Sequence, residues 1–218
     1  MKLRPPAVVF LFLLGAAAAL AGDHGHVVTG TLGYPPEAHQ VPFVWSSPVW
    51  FPVIVGIATV ALAEIRLLLP AVRTTVTVRH GIAGTAAVLG IYTLSGLIHA
   101  APTGPATVLI SALGAITWCA LGDRYSVLTG VIAALVGPVA EALISAGGLF
   151  SYTSGSDDLF GVALWLPGLY FAFGVVAALL GEIAVAKQTQ PRDSVGDEPA
   201  PVLDRAVAAG QCAEGGDG

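Results

Sequence analysis

Few side chains in this sequence have the chemistry to act on a ligand, and the most conspicuous is Glu141. It interrupts the apolar run Ser126–Leu149 and follows Gly137-Pro138. A proline inside a helix removes a backbone hydrogen bond and kinks the chain. A kink at Pro138 beside a carboxyl opens space and frees a carbonyl oxygen, which suits a ligand cavity. Apolar surroundings favour the neutral acid over the carboxylate, so a protonated, hydrogen-bonding Glu141 is expected. The alternative is a carboxyl satisfied by a neighbouring helix without any cavity, and both readings stay open. His99, near the end of a second apolar run, could hydrogen-bond to Glu141 or simply be hydrated. His24, His26 and His39 are scattered without metal-ligand spacing and read as solvated loop residues. Cys119 and Cys212 offer no ligand pattern, and a disulfide between them is not expected. The sequence has no nucleophile-plus-base motif, no HExxH and no glycine-rich phosphate loop. Glu141 and His99 alone make no case for an enzyme. Neither a metal nor a cofactor is expected.

The elements that must position these groups are membrane spans. The chain is 55% hydrophobic and 11% charged, with a mean hydropathy of +0.80. Soluble domains carry about 25% charged residues, so this composition calls for lipid as solvent. Six runs approach the roughly 20 apolar residues that cross a bilayer core. They are Pro5–Ala21, Pro48–Leu69, His80–Ala100, Gly104–Leu121, Ser126–Leu149 and Gly161–Ala186. The expected fold is all-α, a six-helix transmembrane bundle over residues 1–186. The first run has a second reading: Ala19-Leu20-Ala21 before Gly22 resembles a signal-peptide cleavage site. Gly22–Ser47 reads as an outer loop, and the polar, acidic stretch 187–218 as a disordered cytoplasmic tail. Small residues crowd the spans, for example Gly130, Ala133, Ala134 and Gly137, and suit close helix packing within or between subunits.

The nine Lys and Arg residues fall on one side of this arrangement. Lys2 and Arg4 precede the first span. Arg66, Arg73 and Arg79 lie at or between the second and third, Arg124 between the fourth and fifth, and Lys187, Arg192 and Arg205 after the sixth. The other connections contain none. Cytoplasmic loops collect Lys and Arg, so both termini are expected in the cytoplasm. Glu141 then lies about three residues past the middle of its span, roughly 4–5 Å toward the outer face. Glu64 and Glu182 lie toward cytoplasmic span ends, where Arg66, Arg124 and Lys187 could form interfacial ion pairs. Trp50, Trp118 and Trp165 read as interface anchors. No basic stripe exists to neutralise phosphates, so nucleic acid is not an expected partner.

Four segments in order resemble the insulin-induced gene (Insig) family. The first is Ser46-Ser47-Pro48-Val49-Trp50-Phe51-Pro52 with Gly56. The second is Gly96-Leu97-Ile98-His99-Ala100, and the third Trp118 followed by Gly122-Asp123-Arg124-Tyr125-Ser126. The fourth is Tyr152-Thr153-Ser154 with Trp165-Leu166-Pro167 and Gly174. The resemblance runs from about Ser46 to Ile183. The sequence departs from the family pattern in three places. The loop between Tyr152 and Trp165 is longer and carries Asp157-Asp158, Ile54 and Val55 replace cysteines, and the last span ends in Gly181-Glu182-Ile183.

The resemblance implies a non-enzymatic membrane sensor. Insig proteins of the endoplasmic reticulum bind oxysterol within the helical bundle and hold sterol-sensing-domain partners. It also implies partner binding at Asp123, with Arg124 beside it, and a ligand position at Ala142, next to Glu141. In a bacterial membrane the expected ligand is a neutral amphiphile such as diacylglycerol. Its head would meet Glu141 with His99 or Tyr152, and its chains would lie between spans. A homo-oligomer in the plasma membrane is expected. The competing readings are a small transporter or channel using Glu141 as a proton or ion site, a lipid enzyme, and a purely structural oligomer.

Overall fold

The computed structural model describes residues 1–189, and the stretch 190–218 expected as a tail lies outside them. Six helices are long and apolar enough to cross a membrane. They are α1 (Pro5–Thr29), α2 (Trp50–Leu68), α3 (Val78–Leu97), α4 (Thr103–Leu121), α5 (Ser126–Ala146) and α6 (Leu166–Thr189). The protein is an all-α integral membrane protein. Its lateral surface is apolar, with Phe10, Ile57, Ile82, Val108, Leu135 and Leu143 exposed. Helices satisfy their own backbone groups, which is why the spans can carry such a surface in lipid.

α6 is the axis of the bundle. Two-thirds of its spanning window (67%) is buried inside the protein, against 22–39% for the other five. It packs on α5, α4, α2 and α3, while α1 lies mainly against α2 and α3. Small residues permit these contacts. A Cβ on Gly174 of α6 would lie 2.4 Å from the Thr129 carbonyl oxygen of α5. The small-residue faces noted in the sequence therefore serve packing within this chain.

The first helix departs most from the expected spans. Pro5 and Pro6 start it, where their missing N–H groups cost nothing. It runs unbroken through Ala19-Leu20-Ala21 and stops at Gly30, whose positive φ of 74° closes the last turn. Asp23 and His26, expected in an outer loop, are instead on a buried helix face. Hydropathy falls there, but the polar groups turn inward and find partners. Smaller shifts occur at other ends. α5 stops at Ala146 rather than Leu149, and Lys187–Thr189 still belong to α6 rather than to a tail.

The connections gather at two ends. At one, the Met1 ammonium donates to the Leu67 carbonyl oxygen and Arg66 reaches Asp123 and Glu182. This basic end holds the described Lys and Arg residues. At the far end, β1 (Leu32–Gly33) pairs antiparallel with β4 (Ser151–Tyr152), Leu32 opposite Tyr152. The short hairpin β2 (Phe43–Val44) and β3 (Ser47–Pro48) lies between α1 and α2. The β1–β4 pair ties the loop after α1 to the loop before α6, across most of the chain.

Candidate ligand cavity

A cavity of about 370 Å³ opens inside the bundle between α1, α2, α3, α5 and α6. Gly15, Ala18 and Ala19 of α1 keep one wall low. Ile54, Ala58 and Leu62 of α2, Val88 of α3, Val136 of α5 and Phe173 of α6 make the rest apolar. Glu141, Tyr92 and Tyr170 supply nearly all the polar groups in the lining. Ligand sites commonly measure about 300–1,000 Å³ and combine apolar walls with few polar groups, as here.

Glu141 is set by two tyrosines from different elements. The Tyr152 hydroxyl donates to Oε2 at 2.7 Å and the Tyr170 hydroxyl donates to Oε1 at 2.5 Å. Tyr152 is placed by the β1–β4 pair, and its ring lies edge-on to Phe150 and Trp165. Burial, and then the adjacent Glu141 carboxyl, hold its phenol well above the ordinary range, so it remains a donor. Tyr170 is placed by an absence. A Cβ on Gly137 would come within 2.4 Å of its ring, so only glycine lets the ring cross α5 and reach Glu141.

A second polar cluster lies beyond the cavity. Asp23 accepts hydrogen bonds from Ser47 and from Tyr34, the latter at 2.9 and 3.0 Å to its two oxygens. Burial and the Asp23 carboxylate push the Tyr34 phenol up as well. His26, only 1% exposed, puts Nε2 3.0 Å from Ser95 Oγ and 3.2 Å from the Tyr92 carbonyl oxygen. Its ring lies edge-on to Tyr92 and Trp165. It is therefore a buried packing residue, not the solvated loop residue expected. His24 hydrogen-bonds Ser46 and stacks on Trp45.

The other expected site residues scatter. His99 puts Nδ1 2.7 Å from the Gly96 carbonyl oxygen and receives Ser156 on its own carbonyl, so it does not meet Glu141. Pro138 is buried within α5, off the cavity lining. Ala142 packs on the core on a different face of α5 from Glu141, as one residue of helical rotation dictates. Of the three tryptophans read as interface anchors, only Trp50 lines the cavity. Trp165 is 2% exposed in the core, and the Trp118 indole donates to the Asp123 carbonyl oxygen.

At the basic end one of the expected pairs forms, Arg66 with Glu182, but in a buried network rather than at an interface. Arg66, fully buried, reaches Glu182 Oε1 at 2.6 Å and Asp123 Oδ2 at 2.8 Å. Arg73 Nε donates to Glu182 Oε2 at 2.8 Å and its Nη1 to the carbonyls of Leu121 and Gly122. Glu182 pairs with neither Arg124 nor Lys187, and Glu64 accepts the Leu3 N–H. Asp123 also accepts the N–H of Ser126, the first residue of α5, at 2.7 Å. Arg124 is exposed and lies 4.7 Å over the Tyr125 ring.

Glu141 and Tyr152 stand out in the sequence, whereas the contacts of Tyr170, Tyr92, Asp23 and Arg73 do not. A signal existed for Tyr170. A phenol in an otherwise apolar span needs a hydrogen-bond partner, and Glu141 was the unmatched acceptor.

Fold and cavity together define a polytopic helical membrane protein with a ligand-sized space inside its bundle. Comparison with models of known families gives no match. The chain is 57% identical over 190 residues to an INSIG protein homolog of Mycolicibacterium vanbaalenii, covering 87% of this chain and 92% of that protein. A crystal structure of a mycobacterial Insig homolog, MvINS, superposes with a TM-score of 0.84, covering 87% of this chain and all of that one. A cysteine-substituted, cross-linked trimer of MvINS matches equally well at 56% identity. The chain belongs to the Insig family.

Proposed function

We propose that this protein is a lipid-binding membrane sensor that holds a neutral amphiphile, of the diacylglycerol type, in the cavity at Glu141. The observation that carries the reading is the pairing of one carboxyl and the Tyr170 phenol at the polar end of an apolar cavity, with no cation in the lining. Such an end matches a small hydroxyl head rather than an anionic one. The Tyr170 hydroxyl donates to Glu141, so its oxygen retains a lone pair for a ligand hydroxyl. A lipid with two long chains exceeds 370 Å³, so its tails leave toward the bilayer between α2 and α5. Ile54 and Val136 on that rim are 46% and 61% exposed.

The protein sits in a bacterial plasma membrane with α1 retained and both termini cytoplasmic, the side the basic residues select. It acts without catalysis and assembles as a homo-oligomer, as the cross-linked trimer of its relative supports. Ligand binding favours one packing of the bundle in proportion to its differential affinity for the two states. A partner membrane protein reads that packing at the loop carrying Asp123 and Arg124. The transport reading gains no support, because the wall below Glu141 toward the basic end is apolar.

The test is lipid mass spectrometry on protein purified in mild detergent. Wild type should carry an enriched neutral lipid that Glu141→Ala loses. No enriched lipid on wild type sinks the reading.

A further inference from the structure

A second groove, of about 450 Å³, lies at the basic end between the start of α1 and the end of α6. Its floor is apolar, from Phe10 and Leu11 of α1 to Leu180 and Ile183 of α6. Its rim carries two cations, Arg4 and Lys187, and among the described residues no carboxylate lines it. α1 leans on α2 and α3 and touches α6 only slightly, which leaves this gap open. Phe10 is 62% exposed within it.

Arg4 and Lys187 differ from the arginines that are engaged elsewhere at this end. Arg66 and Arg73 are consumed by Asp123 and Glu182, and Arg124 lies over Tyr125 and donates to its hydroxyl. Among the described residues, the Arg4 and Lys187 side chains have no carboxylate or hydrogen-bond partner. Glu64, on the neighbouring α2, is engaged by the Leu3 N–H instead. Two unpaired cations above an apolar cleft, at the level where α1 and α6 leave the membrane, complement one phosphate carrying acyl chains. Basic pockets between spans on the cytoplasmic side are suited to anionic lipid heads.

We propose that this groove is a structural site for one anionic phospholipid of the cytoplasmic leaflet, its phosphate between Arg4 and Lys187 and an acyl chain along Phe10 and Ile183. The site is separate from the cavity at Glu141 in place and in ligand charge. It clamps the first span to the last, which otherwise barely meet, so lipid occupancy strengthens the closure of the bundle.

Native mass spectrometry of the full chain in neutral detergent tests this. Phosphatidylglycerol and phosphatidylcholine of identical acyl chains are added in equal amounts. Wild type should retain phosphatidylglycerol about thirtyfold over phosphatidylcholine, the scale expected of two interfacial cations. Arg4→Gln with Lys187→Gln should abolish the preference, Arg4→Lys should keep it, and Glu141→Ala should leave it intact. Both cations are exposed, so the double variant folds. Equal retention of the two lipids by wild type overturns the proposal, as does a preference that survives the double substitution. So does a preference lost with Glu141→Ala, which moves the lipid to the cavity. Ready disulfide dimers of Phe10→Cys in phosphatidylglycerol vesicles overturn it too, by showing a second copy seated in the groove.

Discussion

At the basic end Asp123 and Glu182 are held by arginines; toward the far end Asp23 and Glu141 are held by hydroxyls. Both arrangements satisfy carboxyls away from bulk water, but they do so with different consequences. The arginine network joins the ends of α2, α4, α5 and α6 through formal charges. Removing any member leaves another charge stranded in a low-dielectric setting. The hydroxyl clusters hold their carboxyls without a Lys or Arg partner among the described residues. A tyrosine can donate to a carboxylate or, by rotating its proton, accept from a neutral acid or a ligand. The first region therefore suits a fixed frame, and the second suits a site that exchanges partners.

The contrast can be broken by substitution. Glu182→Ala strands Arg73, leaves the buried Arg66 with Asp123 alone, and is expected to cost about 3–5 kcal/mol, read as a large fall in unfolding midpoint in detergent. A cost as small as that of a surface pair would show that water reaches the network and remove the contrast. Gly137→Ala should rank next. Its added methyl drives the Tyr170 ring off α5, for about 1–3 kcal/mol of overpacking and loss of the bound lipid together. The smallest effects separate the two tyrosines. Each of Tyr170→Phe and Tyr152→Phe should cost about 0.5–1.5 kcal/mol in stability. Only Tyr170 lines the cavity, so Tyr170→Phe should lose more bound lipid by mass spectrometry. Equal losses would place the head group behind Glu141 rather than in front of it.

The spans were legible because six long apolar runs leave no soluble alternative, and one-sided charges order them. The family was legible from short motifs at span ends. What stayed hidden were contacts between distant elements. Arg73 meets Glu182 from 109 positions away, and no local spacing announces that. Asp23 and His26 disguised the end of α1, because polar residues lower hydropathy whether they face water or a buried partner. Two-residue strands such as β1 and β4 have no periodicity to detect, yet they set Tyr152 on Glu141. Gly137 looked like one small residue among many; its function is defined by a ring on another helix.

The central position of α6 has a consequence for synthesis. Chains are made from the N-terminus at roughly 5–20 residues per second, and α6 is the last of the described spans to emerge. Until it arrives, the faces of α2, α3, α4 and α5 that it will cover meet lipid or one another. Neither Arg66 nor Asp123 has Glu182 to complete its cluster, and Glu141 has no Tyr170. Five spans must therefore wait in the bilayer, inserted but uncored, for the helix that organises them. A ribosome stalled before Leu166 would leave an assembly with its orientation set and its interior missing, a ready substrate for membrane quality control.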